Sequence, residues 1–158
     1  MSDSRPLIVV CAGLPGAGKS TYLKPFGSQV LSSDAMRVLL ADNEDDQTIH
    51  GEVFTTLRFL LRQRIRIRRP VTYVEATHLS AAERRPYLEI AAEYDCRIEA
   101  IFFDVAVETC KQRNRKRTRL VPEEVIDVMA ARLEPPTVEE GFSRVTVVRP
   151  GLRSSPQR

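Results

Sequence analysis

The sequence predicts an α/β domain of three layers, with a five-stranded, mainly parallel sheet between two layers of helices. Three observations carry this. The unbroken apolar run Leu7-Ile8-Val9-Val10-Cys11-Ala12 leads straight into a glycine-rich stretch, as a strand buried on both faces does when it hands over to a helix. Short β-prone segments then alternate with segments of helical apolar spacing, the pattern of parallel strands joined by crossover helices. No internal repeat or linker divides the 158 residues, which fit one domain spanning 1–158 with its core over about 7–148.

The elements follow in order. Residues 1–6 are polar and read as a frayed end, and residues 7–12 form a central strand. The glycine-rich stretch opens a short helix that Pro25 and Gly27 end, and residues 29–33 form a second strand running into Asp34. Residues 35–41 read as a helix with Ser33 or Asp34 as its N-cap. From 48 to about 68, Ile49, Val53, Leu57, Leu60, Leu61 and Ile65 recur near helical spacing, and Pro70 stops the helix. Residues 71–74 are the third strand, delivering Glu75, Ala76, Thr77 and His78 to its end. Ser80 and Glu83 have capping-box spacing and open a helix to about 94. A fourth strand spans 97–104 and a helix runs from 107 to about 115. Pro122 starts another helix that ends before Pro135, residues 145–148 close the sheet, and the tail 149–158 reads as disordered.

Composition narrows the class. An apolar content of 42% beside 28% charged residues is that of an ordinary globular protein. No apolar run approaches the ~20 residues of a membrane helix, and no secretory signal precedes Leu7. Cys11, Cys96 and Cys110 are odd in number and lack metal-ligand spacing, so reduced thiols, a cytoplasmic location and no structural zinc are expected. The net charge of +3 is modest, but the arginines cluster at 62–69 and 111–119. The first cluster reads as the exposed face of the long helix, against its alternative as a nucleic-acid track.

The glycine-rich stretch is Gly13-Leu14-Pro15-Gly16-Ala17-Gly18-Lys19-Ser20, followed by Thr21. Its glycines let successive backbone N–H groups turn inward around phosphate oxygens at a helix N-terminus, Lys19 can reach the β- and γ-phosphates, and Ser20 can hold Mg²⁺. A nucleoside triphosphate is the implied ligand. Ligands of open parallel sheets bind beyond the carboxyl ends of the strands, where Asp34 and Glu75 also stand. Transfer of a phosphoryl group to a hydroxyl calls for a carboxylate to take the proton and cations to neutralise the transferring group. Asp34 fits the first need, against its alternative as a plain helix cap. The six basic residues within 111–119 fit the second as a helical lid, against the alternative of a solvated helix end.

Taken together, these motifs resemble the kinase module of 5′-hydroxyl polynucleotide kinases, within the P-loop phosphotransferases that also include zeta-toxin-like and tRNA-modifying kinases. The resemblance spans about 7–148. It rests on the loop 13–20, on Ser33-Asp34-Ala35-Met36-Arg37, on Glu75-Ala76-Thr77-His78-Leu79 with Glu83-Arg84-Arg85, on Phe103-Asp104-Val105, on Arg113-Asn114-Arg115-Lys116-Arg117, on Val121-Pro122-Glu123-Glu124-Val125, and on Pro136 with Glu139-Glu140-Gly141-Phe142. It implies ATP or another nucleoside triphosphate as donor, Mg²⁺, and a 5′-hydroxyl end of DNA or RNA as acceptor. It further implies that Asp34 is the general base, that Arg37 and Thr77 meet the acceptor, and that Arg113 and Arg117 are lid arginines on the donor phosphates. Their spacing of four would put the two arginines on one helical face. Glu75 and His78 stand where the family more often has Asp and Asn, which leaves Glu75 as a contact to the ion or its waters and His78 either meeting a phosphate or bonded while neutral. Two other readings share the loop: a kinase of a small molecule, nucleoside or tRNA-linked hydroxyl, and a slow NTPase acting as a nucleotide-gated binding protein.

Overall fold

A computed structural model describes residues 3–150 and the backbone of Ser155–Gln157. Five parallel strands, β1 (Leu7–Ala12), β2 (Val30–Ser32), β3 (Val71–Glu75), β4 (Arg97–Phe103) and β5 (Val145–Val148), form the expected sheet. A sixth, β6 (Ser155–Gln157), adds antiparallel to β5, so the order is β2-β3-β1-β4-β5-β6. The tail expected to be disordered therefore pairs over these three residues; residues 151–154 and 158 of it lie outside the described part.

Helices α1 (Lys19–Leu23), α2 (Ser33–Ala41), α3 (His50–Arg66), α4 (Ala81–Tyr94), α5 (Val107–Arg115) and α6 (Glu123–Arg132) cover the two faces. Successive residues of a strand face opposite ways. Ile8 and Val10 accordingly join a core with Leu57 and Leu61 of α3 and Ile90 of α4, while Val9 and Cys11 join a second core with Leu23 of α1 and Cys110 of α5. β1 is thus buried on both faces, as its continuous apolar run requires. All three cysteines are free and buried.

Local sequence explains most boundaries. Ser80 accepts from the Glu83 N–H while the Glu83 carboxylate accepts from the Ser80 N–H, the expected capping box. The N-cap of α2, by contrast, is Ser32, whose hydroxyl accepts from the Ala35 N–H at 3.0 Å. Asp34 sits inside the first turn, which leaves its carboxylate for other partners. The amino-terminal segment is also more ordered than its polarity suggests: Arg5 bonds Asp3 and Asp95, and its carbonyl accepts from Arg97.

The register of the sheet builds the site. Cys11 and Ser32 both pair with Glu75, so the carboxyl ends of β1, β3 and β2 finish abreast. The loop after β1, residues 75–77 after β3 and Asp34 after β2 therefore emerge side by side.

Candidate functional site: a cleft at the carboxyl edge of the sheet

These segments, together with the connection between α5 and α6, enclose a cavity of about 840 Å³. Pro15, Gly16, Gly18, Lys19, Ser20 and Thr21 line its floor, and Asp34, Arg37, Glu75 and Thr77 its flank. Arg113 and Arg117 line it as well. Gly13 and Ala17 do not face this space. Gly13 is tied through its N–H to the Thr77 carbonyl at 3.0 Å, and Ala17 borders a second hollow of about 440 Å³ that it shares with Tyr22, Phe103 and Arg113.

The loop geometry depends on two glycines. Gly16 has φ 82°, and a β-carbon there would lie 2.5 Å from the Cys110 carbonyl oxygen, so no side chain fits. Gly18 caps α1 with φ 91°, and its missing β-carbon lets Arg113 Nη1 approach: the atom would stand 3.2 Å away. The loop and α5 are thereby held close enough for Arg113 to border both cavities.

Lys19 is buried, and its ammonium donates to the carbonyls of Gly13 and Leu14 at 2.8 and 2.9 Å. Burial lowers its pKa while the nearby Glu75 and Asp34 carboxylates pull it back up. Burial likewise pushes the Glu75 carboxyl up, against the opposing pull of Lys19 and a hydrogen bond from Ser20 Oγ to Glu75 Oε1 at 3.0 Å. The Ser20 hydroxyl is a hard oxygen donor of the kind magnesium takes, with the Glu75 carboxylate bonded behind it, and the ion's charge would stabilise a carboxylate that burial disfavours. Ser20 and Glu75 thus fit the expected group. Among the described residues no cluster of three or more His, Cys, Asp or Glu is placed to hold a metal.

On the flank, Asp34 Oδ1 accepts from Arg37 Nη1 at 3.4 Å and from Arg119 Nη1 at 3.2 Å. Arg119 also bonds Asp45, so the α5–α6 connection is clasped to the far wall through two carboxylates. The sequence reading picked out the basic cluster but not this arginine, because its partners lie 85 and 74 residues away. Asn114 was missed as well. Buried at the end of α5, its side-chain amide donates to the Val121 carbonyl at 2.7 Å and accepts from the Val121 N–H at 3.0 Å, pinning the two ends of the connection together. Arg113 and Arg117 do share the cleft, but not as residues of one helix: α5 ends at Arg115, and Arg117 follows in a turn closed by its N–H to the Asn114 carbonyl.

His78 does not meet the cavity. Its ring is buried between the Cys11 carbonyl, 2.8 Å from Nδ1, and the Tyr87 hydroxyl, 3.0 Å from Nε2. A carbonyl only accepts, so Nδ1 carries the proton and Nε2 accepts from Tyr87. Burial drives the imidazole down from 6.5 to about 4, outweighing the hydrogen bond to Cys11. The unfolded chain takes up this proton near pH 6.5 and the folded one only near pH 4, so the stability held here is complete above that window and is lost as pH falls through it. A His78→Gln variant is expected to show a flatter decline of unfolding free energy between these two pH values in urea titrations; a slope equal to that of the native chain would contradict this.

Of the arginine cluster at 62–69, Arg66, Arg68 and Arg69 are exposed, whereas Arg62 and Arg64 are half-buried, and Arg64 reaches back to Thr72 Oγ1 and the Val71 carbonyl. No helix among the described residues is long and apolar enough to cross a membrane.

Comparison with known proteins bears on the family and the fold. A family model described as an AAA domain (AAA_33) matches residues 7–136. L-seryl-tRNA(Sec) kinase of Methanococcus maripaludis is 23% identical over 137 residues, covering 82% of this chain and 53% of that protein. The bifunctional polynucleotide phosphatase/kinase of Schizosaccharomyces pombe is 26% identical over 146 residues, 89% of this chain and 33% of the other. The chain thus spans about half, or less, of the curated relatives it matches. Among solved structures, the Pnkp1/Rnl/Hen1 RNA repair complex contains a chain that superimposes with a TM-score of 0.70 at 19% identity, over 84% of this chain and 45% of that one.

Proposed function

This chain belongs to the AAA domain family (AAA_33) of P-loop kinases, and we propose that it is a polynucleotide 5′-hydroxyl kinase, moving the γ-phosphate of ATP or another nucleoside triphosphate onto a 5′-hydroxyl end of DNA or RNA. The observation that carries this reading is the pairing of Asp34 with Arg37 across the cleft from the loop. A carboxylate able to accept a proton stands beside a buried cation able to hold a neighbouring phosphate. A small neutral alcohol would give Arg37 nothing to bind, whereas a polynucleotide end carries a phosphate on its 3′ side. The relatives named as acting on tRNA and on polynucleotides are consistent with an acceptor of this class.

In this mechanism the backbone amides of the loop and Lys19 take the donor phosphates. A phosphate oxygen offers Lys19 a stronger, charge-assisted acceptor than the two loop carbonyls it holds otherwise. Asp34 removes the proton from the acceptor hydroxyl as it attacks in line, and Arg113 and Arg117 neutralise charge on the transferring group. Ser20, with Glu75 behind it, would hold Mg²⁺, which when bound would supply further neutralisation of charge on the donor. Thr77, whose carbonyl anchors Gly13, lines the same cleft and would meet the acceptor.

The direct test offers single-stranded 5′-hydroxyl oligonucleotides with each of four nucleoside triphosphates and Mg²⁺. Phosphorylated oligonucleotide is the expected product. Transfer to a small alcohol or nucleoside with none to any oligonucleotide would favour the small-acceptor alternative. Arg113→Ala and Arg117→Ala are expected to slow transfer by about 10²-fold or more each, the loss typical of a transition-state charge contact. Both side chains are exposed, so thermal unfolding should stay within about 2 °C of the native midpoint. A melted variant would assign these arginines to structure instead.

A further inference from the structure

His50 opens α3 and Phe54 follows one turn later, their ring centroids 4.7 Å apart and their planes inclined at 49°. Both line the cleft on the wall that carries Asp34 and Arg37. Inward from them, Phe54 meets the His78 ring at 6.3 Å and His78 meets Tyr87 at 4.9 Å. The pair is therefore the cleft end of a row of four rings, and the row is anchored where His78 bonds the Cys11 carbonyl and the Tyr87 hydroxyl. Such a support keeps an aromatic surface in place at little entropic cost on binding.

A second observation on the same wall points to a ligand. Arg37 is only 5% exposed, and its Nε is buried with no hydrogen-bond partner among the described residues. Among the described residues its sole ion pair, to Asp34, is long at 3.4 Å. A buried donor left unsatisfied costs free energy until a partner arrives, and a guanidinium beside a carboxylate selects an anion with planar, two-point acceptors. An unspent cationic donor in the same cleft as two aromatic rings, on helices that pack against each other, matches a nucleotide: a phosphate for the arginine and a base for the rings.

We propose that His50 and Phe54 form a stacking shelf for the nucleobase at the acceptor terminus, while Arg37 holds the phosphate on its 3′ side. The shelf rests on the polynucleotide reading and deepens it. Every base has a π-face, so the shelf accepts any terminal base and disfavours hydroxyl acceptors that lack one.

The test compares two single-stranded 5′-hydroxyl oligonucleotides that differ only in whether the terminal residue carries its base or is abasic. Native protein should show kcat/KM about tenfold higher for the base-bearing end, the size of one base–aromatic stack. In His50→Ala and Phe54→Leu this preference should fall toward unity, with donor-nucleotide binding measured alongside as the check on folding. His50 is exposed, so its removal disturbs no core packing even if Phe54→Leu does. Equal rates on both ends with native protein, or a parallel fall on both ends in the variants, overturns the shelf and leaves the polynucleotide reading standing. No transfer by native protein to either oligonucleotide overturns that reading, and the shelf with it.

Discussion

Asp34→Asn protein is expected to bind a nucleoside triphosphate as the native chain does and to transfer its γ-phosphate about 10²- to 10⁴-fold more slowly, the range for loss of a general base. Asparagine is the informative replacement because its side-chain carbonyl still accepts from Arg37 and Arg119, as Asp34 Oδ1 does now. The clasp between the α5–α6 connection and the far wall is then kept while proton acceptance is removed. Lys19→Ala should differ in kind. Lys19 lies on the floor, against the loop that takes the donor, so its loss should weaken triphosphate binding as well as slow transfer. Equilibrium binding of a fluorescent triphosphate analogue beside single-turnover transfer rates separates the two effects. An equal loss of donor binding in both variants would remove Asp34 from the role of base.

Arg84→Ala is expected to give the largest loss of stability, about 3–5 kcal/mol, as breaking one side of a buried ion pair does. Arg84 is fully buried. Its Nε and Nη2 donate to the two carboxylate oxygens of Glu140 at 2.9 and 3.0 Å, and its Nη1 to the His78 carbonyl at 2.7 Å. Alanine would strand the Glu140 carboxylate, whose side chain is 13% exposed, and leave the His78 carbonyl unpaired. His78 holds a left-handed backbone at φ 43°, a conformation that costs a non-glycine residue free energy and needs such anchors. The damage should therefore extend along residues 75–78 into the cleft. Against a typical domain stability of about 5–15 kcal/mol, the loss should lower the unfolding midpoint by about 10 °C or more. Arg84→Lys, which keeps the charge but not the two-point fork, should fall between. A loss of under about 1 kcal/mol in urea unfolding would mean that the pair is solvated.

These two residues also show what a sequence can and cannot reveal. Loop, strand and acceptor carboxylate were legible because each leaves a local signature: a continuous apolar run before 13–20, a capping box at Ser80 and Glu83, an acidic residue just past a β-prone stretch. Parallel pairing then brings those strand ends together almost unavoidably. Arg84 appeared in the sequence only as part of a charged motif, since its partner Glu140 lies 56 residues away. The same distance problem hid Arg119 and the ring row behind Phe54; Asn114 bonds Val121 only 7 residues on, but a side-chain bond across a turn leaves no periodic pattern in the sequence. At α2, three consecutive residues, Ser32, Ser33 and Asp34, are all good caps. Choosing Ser32 required the backbone itself, and that choice is what leaves Asp34 to face the cleft. The sixth strand was overlooked for another reason: Ser155–Gln157 has a proline at its centre, which marks an edge strand more readily than a central one.

The central claim is that one cleft holds a donor half, built on the loop, and an acceptor half, built on Asp34 and Arg37. It is tested most directly by following label from a γ-labelled triphosphate in single-turnover reactions with two otherwise identical oligonucleotides, one ending in a 5′-hydroxyl and the other already 5′-phosphorylated. Label should appear at the 5′ end of the first, not on the second, and should be lost from the first with Asp34→Asn. Release of label as free phosphate at the same rate with either oligonucleotide or with none, unaffected by Asp34→Asn, would contradict the claim and identify a hydrolase without an acceptor.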